Sequence, residues 1–316
     1  MSLKAAPFNN DVALGPDDVS AYWLKTDDGV QIRAAVWGAA SAALKGCILL
    51  LPGRTEYIEK YGKTAQDLLE RGYCSIAIDW RGQGAADRLL PKSTLGHVES
   101  FKDYQRDLQV VLNALPEIAL PDKPLYLLAH SMGGCIGLRS LMEDLPVKAA
   151  AFTAPMWGIA MGKPKRAAAW AVSTAARSIG MDKQFSPGTS PVTYVLSQPY
   201  EDNMLTTDKD MFEYMRNQAT EQPELTLGGP SLTWLSEGLQ ECRALRARPT
   251  PNIPCLTFLG TGERIVDHSA IHDRMARWPN GQLEIIEGAE HEVLMEREAI
   301  RSQATDAIVA LFEQHT

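Results

Sequence analysis

Residues 125–134 read LYLLAHSMGG, which sets Ser131 between an apolar strand, Leu125 to Ala129, and a helix that the pattern carries from Met132 to Leu145. A turn this tight tolerates only small flanking side chains, here Ala129 and Gly133 with Gly134 behind, and it presents the hydroxyl at the edge of a sheet. On its own the segment also reads as a serine capping an ordinary helix. A serine hydroxyl is a poor nucleophile until an imidazole takes its proton and a carboxylate orients that imidazole. Both partners follow in the chain. GTGERIVDH puts Glu263 three residues past Gly260, and EGAEHEVLME puts His291 three residues past Gly288, each just after a strand-like run. Asp267 competes for the acid role, but it precedes a helical stretch, His268 to Trp278, for which it is a plausible N-cap. Acyl transfer also needs oxyanion donors, commonly two backbone N–H groups. Met132, directly after the serine, supplies one; LLLPGRTEYIEKY at 49–61 supplies a Pro-Gly turn and then Arg54, whose N–H we expect to be the other.

The remaining reactive residues have plainer readings. His130 points away from its neighbours on the elbow strand, His97 sits in a polar loop and His315 in the tail, while His268 and His272 lie one helical turn apart with no companion cluster for a metal. Cys47, Cys74, Cys135, Cys242 and Cys255 show no paired spacing and read as small buried apolar residues in a reducing compartment. The net charge of −8 across 316 residues excludes a general nucleic-acid binder. No secretory signal is expected from MSLKAAPFNND, and no run approaches the roughly 18 apolar residues of a membrane span.

The elements that must position these residues alternate in a βαβ order. Val19 to Thr26 and Val30 to Trp37 flank an Asp-Asp-Gly turn and form a hairpin. CILLLP at 47–52, CSIAIDW at 74–80, LYLLAH at 125–130 and KAAAFTAP at 148–155 are the continuous apolar runs of buried parallel strands, with CLTFLG at 255–260 and QLEIIEG at 282–288 much later. Helical periodicity is clearest from Phe101 to Leu115 and from Arg297 to Gln314. Between Met156 and Leu232 there is no strand-like run, so an insertion after the sixth strand is expected.

PGRTEYIEKY, DWRGQG, LGHVESFKDYQRDL, AHSMGG, ERIVDHSAIHDR and GAEHEVLMEREAIR together resemble bacterial lysophospholipases near the monoacylglycerol lipase branch of the α/β-hydrolase superfamily. The likeness is weakest across 156–232, and PGRT stands where the lipase branch has a His-Gly pair. It implies an α/β-hydrolase fold with an eight-stranded, mostly parallel sheet, a core of residues 1–155 and 233–316, and a helical cap at 156–232. It also implies Glu263 as the triad acid. The activity implied is that of a serine hydrolase cleaving a carboxylic ester of a single-chain lipid, foremost a lysophospholipase, without cofactor or metal. Monoacylglycerol lipase, short-chain carboxylesterase and a catalytically silent binding protein are the alternatives. Within the cap, Lys163, Lys165, Arg166, Arg177 and Lys183 face one acid, Asp182, among scattered Trp, Ile and Met. That mixture suits peripheral contact with an anionic membrane surface or an amphiphile, in a protein expected to be cytoplasmic.

Overall fold

The computed structural model describes residues 3–41, 44–118 and 123–316; the side chains of residue 163 and of 165–170, hence of Lys163, Lys165 and Arg166, lie outside the described residues. Nine strands form one sheet among the described residues: β1 (Lys4–Ala5), β2 (Val19–Lys25), β3 (Gln31–Trp37), β4 (Gly46–Leu51), β5 (Tyr73–Asp79), β6 (Leu125–His130), β7 (Ala150–Thr153), β8 (Cys255–Gly260) and β9 (Gly281–Ile286). Their order is β1-β2-β3-β5-β4-β6-β7-β8-β9. The first three strands are antiparallel additions, and every pairing from β5 to β9 is parallel. Eight strands were expected. The ninth, β1, pairs Lys4 with Trp23, and two residues are too few to show an alternating pattern in sequence.

Among the described residues ten α-helices accompany the sheet: α1 (Asn10–Ala13), α2 (Gly62–Glu70), α3 (Asp103–Ile118), α4 (Ser131–Leu141), α5 (Lys163–Ser178), α6 (Tyr194–Ser197), α7 (Lys209–Glu221), α8 (Leu232–Ala247), α9 (His268–Met275) and α10 (Glu298–Glu313). The inner parallel strands β4 to β8 are buried and mostly apolar because both faces are covered, whereas the edge strand β9 is partly exposed. Leu49, Leu51, Leu127, Ala129 and Phe152 face one side with residues of α3, α4 and α8. Ile48, Leu50, Tyr126, Leu128 and Ala151 face the other with residues of α2, α7 and α10.

The long excursion between β7 and β8 holds α5 to α8. Its halves are anchored differently. Met211, Phe212 and Met215 of α7 are buried in the second core, and the Tyr214 hydroxyl donates to Ala13 O at 2.6 Å. Val172 of α5 and Ile179 and Met181 just after it are exposed.

One reading of the cysteines is corrected. Cys47 and Cys74 are register partners on β4 and β5, with Cα atoms 4.8 Å apart, and form a disulfide; Cys135, Cys242 and Cys255 are buried thiols. Chain spacing carried no hint of it, because 27 residues separate two cysteines that only the strand register brings together.

Candidate active site

Ser131 sits where β6 becomes α4, at φ 48°, a left-handed conformation that a non-glycine residue adopts only when its surroundings hold it there. The enforcing contacts explain the small residues of the motif. A Cβ on Gly133 would lie 2.1 Å from Leu51 O, and one on Gly134 would lie 2.6 Å from the Pro155 side chain. The first turn of α4 is therefore pressed directly against the ends of β4 and β7. A larger residue at either position would push the elbow off the sheet.

The three residues that the sequence placed in separate loops meet. Ser131 Oγ lies 2.9 Å from His291 Nε2, and His291 Nδ1 lies 2.5 Å from Glu263 Oε2. All three are buried, Ser131 being 8% exposed. Glu263 Oε1 accepts from the backbone N–H of Ile265 and, at 3.1 Å, of Val266. Burial alone would raise the Glu263 pKa; the charge and hydrogen bond of His291 and these two N–H groups outweigh it and hold the carboxyl below its ordinary range. Asp267 does not reach the histidine. It caps α9 by accepting from Ser269 N at 3.0 Å.

Met132 directly follows the serine and Arg54 lines the same cavity as Ser131, and neither N–H donates to a protein acceptor among the described residues. The loop carrying Arg54 is fixed from below: Trp80 Nε1 donates to Pro52 O at 2.9 Å, Gln83 Nε2 donates to Gly53 O at 2.8 Å, and Gly53 N donates to Glu56 Oε2.

Beneath the triad lies a buried polar cluster that the sequence did not disclose. Lys60 Nζ bonds Glu56 Oε1 and Glu292 Oε1 at 2.6 Å each, and the Tyr61 hydroxyl donates to Glu56 Oε2 at 2.5 Å. His130 Nε2 is 3.3 Å from Glu292 Oε2, its Nδ1 is 2.9 Å from Thr153 Oγ1, and its ring centroid is 4.8 Å from that of His291. Burial pulls the His130 pKa down, but the charges of Glu292 and Glu56 overcome it and raise the value. Glu292 is pushed the other way: burial raises it, and His130 and Lys60 bring it well below its usual range. His130, given no part by sequence reading, thus couples the elbow to the loop of His291. Glu56, His130 and Glu292 are close enough together to suggest a metal site, yet the ammonium of Lys60 already stands between the carboxylates. Nothing in sequence separation ties Glu56 to Glu292; only the fold does. His97, read as a loop residue, is also buried, with Nδ1 2.9 Å from Ser231 Oγ.

Ser131 and His291 line a cavity of about 260 Å³ together with the apolar side chains of Val195, Met204, Leu205, Met215 and Ile265. Part of this apolar lining is hung on the histidine loop, since His291 N and Glu292 N donate to Met204 O and Leu205 O at 3.3 and 2.8 Å. A serine hydroxyl bonded to an imidazole that is bonded in turn to a carboxylate, beside a largely apolar cavity, is an arrangement able to perform nucleophilic acyl transfer.

The chain is 33% identical over 278 residues to lysophospholipase L2 of Escherichia coli, covering 85% of this chain and 80% of the relative. Among solved structures it resembles a soluble variant of monoglyceride lipase from Saccharomyces cerevisiae, with TM-score 0.71, 16% identity and coverage of 100% and 96% of the two chains. It also resembles a monoacylglycerol lipase from Paleococcus ferrophilus, with TM-score 0.67, 18% identity and coverage of 90% and 98%. At such identities the two structures speak for the α/β-hydrolase fold. Residues 42–298 match the family model described as serine aminopeptidase, S33, and with that match across most of its length the chain belongs to this family of α/β-hydrolase enzymes.

Proposed function

We propose that this protein is a lysophospholipase, a serine hydrolase that removes the single acyl chain of a lysophospholipid. Ser131 attacks the ester carbonyl while His291 accepts its proton and then returns it to the departing glycerol oxygen; a water, deprotonated by His291, then cleaves the acyl-Ser131 ester, releasing the fatty acid and returning the proton to Ser131, while Glu263 keeps the imidazole in the right tautomer and stabilises its charged form. The N–H groups of Arg54 and Met132 hold the oxyanion. The observation that carries this reading is the unbroken Ser131–His291–Glu263 chain opening on an apolar chamber. The name borne by the Escherichia coli relative supports the lipid class. The family's description as an aminopeptidase makes an amide substrate the rival. An aminopeptidase must neutralise a substrate ammonium, and here both carboxylates lining the cavity, Glu56 and Glu292, are already engaged by Lys60.

We further read residues 156–232 as a cap whose first half rests on an anionic lipid surface. No helix among the described residues is long and apolar enough to cross a membrane. Exposed Val172, Ile179 and Met181 support contact with lipid. The charge argument is weaker than the sequence suggested: Lys183 Nζ pairs with Glu99, and Arg177 lies 3.6 Å from Glu237, so two of the five basic residues are offset by acids from outside the segment. The Cys47–Cys74 bond likewise removes two cysteines from the reasoning for a reducing, cytoplasmic compartment.

Turnover of lysophosphatidylcholine, monoacylglycerol, p-nitrophenyl butyrate and aminoacyl p-nitroanilides, measured together with fluorophosphonate labelling, tests this reading. Lysophosphatidylcholine should be preferred and labelling should vanish in Ser131→Ala. Preference for monoacylglycerol or the short ester moves the protein to a neighbouring lipase or esterase activity; anilide hydrolysis alone overturns the ester assignment.

A further inference from the structure

Charged residues line the cavity beside Ser131, and the match between them is uneven. Glu56, Lys60 and Glu292 compensate one another at 2.6 Å. Arg54 lines the same cavity, and no carboxylate lies within ion-pair distance of it among the described residues. A guanidinium carries five N–H donors. Nη1 of Arg54 donates to Gly228 O at 2.9 Å, the central carbon lies 5.5 Å from the Trp234 ring, and the other donors have no protein acceptor among the described residues. Burial lowers the pKa of Arg54 to about 10, so it remains a cation at neutral pH. Drawing a cation out of water without a counterion is costly, and a planar fork of free donors is the shape that takes a phosphate in bidentate fashion.

Position adds to chemistry. In the proposed function the backbone N–H of Arg54 faces the scissile carbonyl, and the loop beneath it is pinned through Pro52, Gly53 and Glu56. The glycerol spacer of a lysophospholipid, from ester carbonyl to phosphorus, is comparable in length to an arginine side chain from Cα to guanidinium. We infer that the Arg54 side chain binds the headgroup phosphate of the substrate, so that one residue holds both the oxyanion, by its N–H, and the phosphodiester, by its guanidinium. This rests on the lysophospholipase reading and adds the feature that separates such a substrate from a neutral monoacylglycerol, which would leave the guanidinium uncompensated.

The test uses two non-hydrolysable amphiphiles with the same tail, dodecylphosphocholine and 1-O-dodecylglycerol, as inhibitors of p-nitrophenyl butyrate hydrolysis below their aggregation concentrations. Arg54→Gln should raise the inhibition constant of dodecylphosphocholine about tenfold and that of dodecylglycerol less than about twofold, the ratio expected for a lost charge-assisted hydrogen bond. Arg54→Lys, a cation without the fork, should fall between. If Arg54→Gln does not fold, Arg54→Lys decides alone, with a weakening of about threefold or more confined to dodecylphosphocholine. Equal changes for both inhibitors, or none, overturn the phosphate site. Lysophosphatidylcholine turnover by the unmodified enzyme separates the two claims: its absence alongside an Arg54-dependent inhibitor ratio overturns the lysophospholipase reading and keeps the anion site, while the converse overturns the anion site alone.

Discussion

On the core side of the cavity, every charged lining side chain except Arg54 is matched inside a buried network running from Glu56 through Lys60 to Glu292, with His130 closing it against His291. On the opposite side, Val195, Met204, Leu205 and Met215 supply an apolar wall. The chain leading to that wall also carries five of the seven large hydrophobic side chains that are exposed among the described residues: Val172, Ile179, Met181, Val192 and Leu196. The contrast follows from the two tasks. Acyl transfer needs donors and acceptors fixed before the reaction, and a buried ionic network fixes them because breaking any part strands a charge in low dielectric. Receiving a flexible acyl chain needs area rather than direction, and apolar side chains provide it without a register to keep.

The largest expected effect lies on the fixed side. Glu263→Gln keeps the shape of the acid but presents an amide to His291, and losing the orienting carboxylate of a related triad costs on the order of 10⁴ in turnover. Steady-state kinetics on p-nitrophenyl butyrate should show the loss in kcat. The same variant should alter acid stability. The folded carboxyl of Glu263 is held below its unfolded value, so it contributes stability above the unfolded value that is lost as pH falls through the lowered folded one. Unfolding curves between pH 3 and 6 should therefore slope less in Glu263→Gln. An unchanged slope would mean that the ion pair with His291 contributes nothing to the fold.

Next comes the network itself. Lys60→Met leaves Glu56 and Glu292 facing one another in a buried site, and removing one partner of a buried ion pair costs about 3–5 kcal/mol. Chemical denaturation should show a midpoint shift of that size. If Lys60→Met loses less than about 1 kcal/mol, the network is not what fixes the core side, and the contrast between the two sides fails.

How far this contrast is legible in the sequence differs between the sides. The triad was readable because each member follows a strand ending, and strand endings are marked by apolar runs and glycines: Gly260 before Glu263, Gly288 before His291, and Gly133 after Ser131. The parallel strands were readable for the same reason, with boundaries off by a residue or two; KAAAFTAP narrowed to Ala150–Thr153. The network was not readable. Glu56 and Lys60 look like the exposed acid and base of a helix turn four residues apart, and only the convergence of the segments that follow β4 and β9, strands separated by three others in the sheet, brings Glu292 to them. The disulfide was hidden likewise, in a register that no spacing records. The length of the excursion after β7 was evident, whereas the burial of α7 against α1 was not, because Met211, Phe212, Tyr214 and Met215 were read only as part of a strandless stretch.

On the other side, Ile179→Ser combined with Met181→Ser removes two exposed apolar side chains, 69% and 54% accessible, and should leave thermal stability within about 0.5 kcal/mol. Burying such side chains in a lipid interface contributes about 25 cal/mol per Å². Sedimentation with anionic vesicles should then show weaker binding by roughly 2 kcal/mol, together with slower turnover of vesicle-borne lysophospholipid and near-normal hydrolysis of p-nitrophenyl butyrate. Equal vesicle binding by variant and wild type would make this surface an ordinary exposed face, and the contrast would reduce to a rigid core side and an apolar wall with no lipid-facing role.

The smallest expected effect falls at the seam between the two sides. Asp267 N donates to Gly158 O at 2.9 Å and Ala160 N donates to Ile265 O at 3.0 Å, so the chain leaving β7 is stitched to the loop of the triad acid just before the excursion begins. The Asp267 side chain caps α9 through Ser269 N and also bonds the Ser269 hydroxyl at 2.6 Å. Asp267→Asn should therefore cost about 1 kcal/mol, the usual worth of an N-cap, and because asparagine is itself a good cap the loss should lie at or below that figure. Turnover should stay within a few-fold of wild type. Thermal unfolding and p-nitrophenyl butyrate kinetics on the same sample read both quantities. A loss of turnover approaching that of Glu263→Gln would move the acid role to Asp267, and with it the boundary between the fixed side of the cavity and the segment that walls it.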